Sequence, residues 1–158
     1  MPLPYENATS GEKALGEIQK LLRGFGCAKF GSMSDDETKE ITVQFEYRGR
    51  QVSVKASVRG YAAAWLKEHP TKVFQTEIAN GTAAAKRTAH ERRAMDIASV
   101  AVYSILRDWI KGQVTAIETG ILTFEGAFLG QILLPSGQTI LEHATTAKLP
   151  PALAAPKA

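Results

Sequence analysis

Eight basic side chains fall into two short clusters. Arg48, Arg50, Lys55 and Arg59 lie within YRGRQVSVKASVRGY (47–61), and Lys86, Arg87, Arg92 and Arg93 lie within AAAKRTAHERRAM (83–95). Holding phosphate requires cations that reach solvent from neighbouring positions, and either cluster can supply them. The second cluster falls near an expected helix start, where unpaired amides and the positive end of the helix dipole also favour an anion. Tyr47 and Tyr61 flank the first cluster, and an exposed tyrosine can stack on an unpaired base. For Tyr47 strand parity limits that role, because it shares the face of Val43 and Phe45. The competing reading is an ordinary hairpin with a soluble basic face.

Other chemistries find less in this chain. A nuclease of the Asp…Glu-x-Lys type needs two carboxylates around Mg²⁺ and a lysine two residues beyond the glutamate on a strand. The nearest match is Asp36 with Glu46-Tyr47-Arg48, aided by Glu17, and arginine is a poor replacement for that lysine. His69, His90, His143 and Cys27 are widely spaced, with no CxxC or HExxH, so no metal is expected. GxSxG and GxxxxGK[ST] are absent, and the glycines at 24, 26 and 31 do not make GxGxxG. Cys27 reads as a small buried hydrophobe. The chain is therefore expected to be neither an enzyme nor cofactor-dependent.

The elements that must position the cations follow from periodicity. Thr9 and Glu12 have capping-box spacing, and Leu15, Ile18, Leu21, Leu22 and Phe25 continue at helical spacing, predicting a helix over 10–24 ended by Gly24 or Gly26. CAKFGSM (27–33) reads as a strand. EITVQFEY alternates strictly, and after Arg48-Gly49 the alternation resumes with Val52, Val54, Ala56 and Val58 on one face and Gln51, Ser53, Lys55, Ser57 and Arg59 on the other. GYAAAWLKEHP, with Tyr61 and Trp65 at i and i+4, predicts a short helix stopped by Pro70. Val73 and Phe74 can belong to a further short strand. A long helix is expected over 83–111, with Thr88 and Glu91 as an alternative start, a stripe of Ala94, Ile97, Ala98, Ala101, Ile105 and Trp109, and Gly112 as its stop. Val114, Ile117 and Ile121 keep helical spacing, as do Phe124 and Phe128, and ILLPSGQTILE (132–142) suggests a small hairpin around Pro135-Ser136-Gly137.

The order helix, three strands, short helix, long helix predicts an α+β fold. A three-stranded antiparallel sheet packs against an N-terminal helix and a long central helix, with a small helical and hairpin C-terminal appendix. Residues 1–143 are expected to form one domain, and the Ala/Pro-rich residues 144–158 a disordered tail. The 158 residues are 44% apolar and 22% charged, enough for a self-sufficient core. Net charge is only +3, but residues 48–111 carry twelve basic and five acidic groups, between flanks with five and eight and with two and three. Such a basic middle can attract nucleic acid or an acidic protein. A lone cysteine, an N-terminus without a basic and apolar leader, and no long apolar run predict a cytoplasmic protein outside the membrane.

Three resemblances bear on these expectations. The start of the long helix resembles the lysine-rich start of the second helix in double-stranded RNA-binding domains, which share the order helix, three strands, helix. The chain lacks that family's Gly-Pro-x-His loop and has an extra segment before the helix. Proteins that anneal single strands in phage recombination are similar in architecture and charge alone. FGCAKFG, GYAAAWLKEHP and SILRDWIKGQVTAIETG resemble stretches of small phage- and prophage-encoded proteins, which implies a replication, recombination or host-interference setting and no catalytic residue. The leading expectation is a non-enzymatic accessory protein that binds DNA or RNA backbone through all eight cations. The alternative is a protein-interaction module, either an inhibitor of a host complex or a homo-oligomer built through the apolar stretch 121–134.

Overall fold

The computed structural model describes residues 2–147. Its first helix, α1 (Gly11–Phe25), buries Ala14, Ile18 and Leu22. Ser10, not Thr9, caps it: its Oγ accepts the Lys13 amide at 3.1 Å. That one-residue shift moves Glu12 off the position from which it could complete a capping box. Gly26, at φ 110, closes the other end in the left-handed region. Cys27 belongs to this closure, since its amide donates to Leu22 O at 2.9 Å, so the following strand begins later than expected.

Three strands follow, β1 (Lys29–Asp35), β2 (Glu40–Tyr47) and β3 (Arg50–Ser57), antiparallel in the order β1-β2-β3. Val43 faces Ser32 and Val54, and Phe45 faces Phe30 and Val52, so Ile41, Val43, Phe45 and Val52 form the floor of the core. Asp35 Oδ1 shapes the first turn by accepting the amides of Glu37 and Thr38 at 2.8 and 3.1 Å. Arg48 and Gly49, at φ 47 and 80, make a two-residue loop of the left-handed kind that matches strand twist.

The second helix, α2 (Val58–Glu68), starts inside the stretch that alternates like a strand. Ser57 Oγ accepts the Gly60 amide at 3.0 Å and turns the chain into a helix. Val58 is buried in either geometry, so alternation alone cannot see the boundary, and Arg59 does not share the ribbon of Lys55. Val73 and Phe74 form no strand. Glu77 accepts the Phe74 amide at 3.2 Å and opens a short helix, α3 (Gln75–Ala79).

The long helix, α4 (Ala83–Glu118), runs through both sequence signals that could have interrupted it. Thr88 Oγ bonds back to Ala84 O at 3.0 Å, as hydroxyls do inside helices. At Gly112 a Cβ would meet nothing within 4 Å, and the turn comes instead at Gly120, φ 77. Ala94, Ala98 and Ala101 are fully buried between α1, α2 and the sheet.

The appendix is α5 (Phe124–Phe128), one 3₁₀ turn (Leu129–Gln131) and α6 (Ile140–Thr146). Phe128 is fully buried, edge-on to Phe45 at 5.4 Å and to Trp109 at 5.7 Å. The small hairpin expected over 132–142 forms around Pro135-Ser136-Gly137, with Leu134 N donating to Gln138 O at 2.8 Å, Ile140 N to Ile132 O at 3.0 Å and Leu133 bridging Thr139, and it ends where the Thr139 hydroxyl accepts the Glu142 amide and starts α6. Residues 144–146 of the expected tail lie in that helix, and 148–158 fall outside the described residues. Among the described residues no helix is long and apolar enough to cross a membrane.

Candidate functional site

The hairpin cations end up beside acids from the appendix. Arg50 Nη1 stands 3.0 Å from Glu125 Oε1, and Lys55 Nζ stands 3.4 Å from Glu142 Oε1. Arg48, at the tip, lies 5.2 Å over the ring of Tyr47. That ring is itself stacked on Phe25 at 4.4 Å and tilted against Phe124 at 4.9 Å, which places Tyr47 with the core as strand parity implies. Tyr61 donates its hydroxyl to Pro4 O at 2.7 Å. Tyr47 therefore offers no open stacking face from the hairpin.

At the other end of the sheet the situation reverses. Arg59, Lys39 and Glu91 rim a groove of about 330 Å³ whose floor is Ala62, Ala63, Leu66 and Met95. Lys39 is fixed by backbone bonds, its amide donating to Asp35 O and its carbonyl accepting from Val58, while Arg59 Nη2 reaches only Glu37 O at 3.5 Å. Arg87 lies one turn before Glu91 on the same face of α4, and Arg92 lies three residues before Met95. Both are exposed, with no acidic partner among the described residues. Arg93, equally exposed, points to the flank away from Glu91. Lys86 is spoken for: it lies 3.0 Å from Glu77 and 5.1 Å over the Phe74 ring. Its ammonium and the Phe74 amide hold the Glu77 carboxyl below the usual range.

The eight cations therefore do not converge on one site. Arg48 and Arg50 share a concavity with Ile117, twenty-four residues along α4 from Arg93, or about 36 Å at the helical rise. Among the described residues, Arg48 and Arg93 lie too far apart along α4 to share one groove. The counter-ions Glu125 and Glu142 gave no local sign in the sequence, and Lys39 was masked by its acidic turn.

The acidic residues do not converge either. Glu40 faces Asp35 at one end of β2 and Glu46 stands six residues on, about 20 Å along the strand, bound to Lys29 at 2.8 Å. Glu17 pairs with Arg107 at 3.1 Å. No group of three or more His, Cys, Asp or Glu among the described residues is arranged to hold a metal ion. Two histidines far apart in sequence are packed together: His69 stacks on Trp65 at 4.3 Å, and His90 lies against the same ring at 5.1 Å and bonds His69 O. This cluster ties α2 to α4 beside the groove. No protein family, curated protein sequence or solved structure matches this chain.

Proposed function

We propose that the protein binds nucleic-acid backbone, independently of sequence and without catalysis, at the groove between α2 and the N-terminal half of α4. Arg59, Lys39, Arg87 and Arg92 contact phosphates, with Arg93 at the margin. The observation that carries this reading is the contrast in partners. Arg50, Lys55 and Lys86 face carboxylates, whereas Arg87, Arg92 and Arg93 are exposed with none among the described residues. Unpaired guanidinium groups on one helical segment are what counterion release requires.

Anisotropy titration with labelled single-stranded and duplex oligonucleotides tests it. With four phosphate contacts, raising salt from about 50 to about 200 mM weakens binding on the order of 10²-fold. Absence of binding to DNA and RNA at the lower salt rejects the reading.

A second reading, a protein-interaction module, has its own observation. Ile121 and Leu122 just before the appendix, and Leu129 and Leu141 on it, are 75, 40, 51 and 54% exposed, large apolar side chains left in water. Affinity capture from nuclease-treated host lysate separates the two, since a protein partner survives nuclease and a nucleic-acid bridge does not.

A further inference from the structure

Among the described residues β1 pairs with β2 on one side only, and the order β1-β2-β3 leaves its other edge open. The far edge of the sheet is different, because Gln51 O accepts from Leu133 N at 2.8 Å and Val52 bridges Ile132. An open edge is a row of unpaired amides and carbonyls. Chains usually blunt it with central charges, proline, a bulge or a covering segment. KFGSMSD has none of these among the described residues: its register runs unbroken from Lys29↔Glu46 to Asp35↔Glu40, and its only charges stand at the two ends. Gly31, Ser32, Met33 and Ser34 are all exposed, Met33 by 63%.

We propose that this edge pairs with the same edge of a second copy of the chain, antiparallel about a two-fold axis through Ser32. The strand is self-complementary in that register. Lys29 faces Asp35 of the second copy at both ends, Met33 faces Gly31, and Ser32 faces itself. Facing residues of an antiparallel pair share a face, so the opposite charges meet directly. Lys29 is 75% exposed while holding Glu46, and Asp35 engages turn amides through Oδ1, so both can take a further partner. A Cβ on Gly31 would meet nothing within 4 Å, and the space above it receives Met33 of the second copy. Slipping the register by one residue would put each side chain opposite the wrong face. The product is an isologous dimer with one continuous sheet. It stands independently of the nucleic-acid reading.

Cysteine placement reads the register. In Ser32→Cys the two cysteines face each other with Cβ atoms about 5 Å apart, within reach of a disulfide. In Ser34→Cys they sit four residues out of step, about 13 Å apart. Cys27 is buried and does not compete. Mild oxidation at low protein concentration is expected to give covalent dimer on a non-reducing gel for Ser32→Cys, and monomer for Ser34→Cys and the parent. Sedimentation of the parent should show a concentration-dependent dimer, which Ser32→Lys abolishes by setting two cations face to face. Equal cross-linking of the two cysteine variants overturns the proposal, as does a parent that sediments as a monomer throughout. Should Ser32→Lys fail to fold, the cysteine pair still decides.

Discussion

The guanidinium of Arg50 lies 3.0 Å from the carboxylate of Glu125, and this contact fastens the β2–β3 hairpin to the appendix. Both side chains are about half exposed, so the pair contributes at most about 1 kcal/mol. Its greater consequence is electrostatic, because it removes Arg50 from the cations free to meet an anion. Lys55 and Glu142 repeat the arrangement one element further on.

The two basic clusters should therefore respond differently to neutralisation. Arg87→Gln with Arg92→Gln is expected to weaken nucleic-acid binding at least ten-fold and to lower the salt slope by about two, one for each phosphate that no longer meets a cation. Arg50→Gln with Lys55→Gln is expected to change affinity less than about three-fold. Anisotropy titrations of the two double variants over a salt series make the comparison. Equal weakening by the two would place the binding surface elsewhere.

Trp65 joins α2, α4 and both packed histidines, and is only 5% exposed. Trp65→Ala leaves a cavity under the groove and is expected to cost about 3–5 kcal/mol. Urea unfolding followed by circular dichroism measures this as a lower midpoint with an unchanged slope.

Burial pushes the Cys27 thiol up to about 11. It stays protonated near neutral pH, and the thiolate is the reactive form. Labelling by a thiol reagent at pH 8 should be slower than for an unfolded control by on the order of 10²-fold. Rapid labelling of the folded protein would show that the closure of α1 opens readily.

The amides of Thr38 and Glu37 hold the Asp35 carboxyl below its ordinary value of 3.8. A carboxylate with a depressed folded pKa adds stability that is fully present above the unfolded value and is lost as pH falls through the folded one. Asp35→Asn keeps an acceptor for the turn but does not titrate. The stability difference between parent and variant, from urea melts at descending pH, should be constant above about pH 5 and shrink in the acid range below 3.8.

Sequence alone determined the architecture, because local periodicity reports which side chains must leave water. Ile41, Val43, Phe45, Val52 and Val54 specified the two paired strands, and Ala94, Ala98 and Ala101 specified the buried stripe of the long helix. Boundaries were less legible where a hydroxyl one residue away competed for the cap, as Ser10 did with Thr9 and Ser57 with the apparent continuation of β3. The eight cations were equally visible in the sequence, but their availability was not. Only tertiary structure set Glu125 and Glu142 against Arg50 and Lys55, and only the length of α4 separated Arg48 from Arg93. A charge is a local property of the chain, whereas its counter-ion and its neighbours in space come from segments that folding brings together.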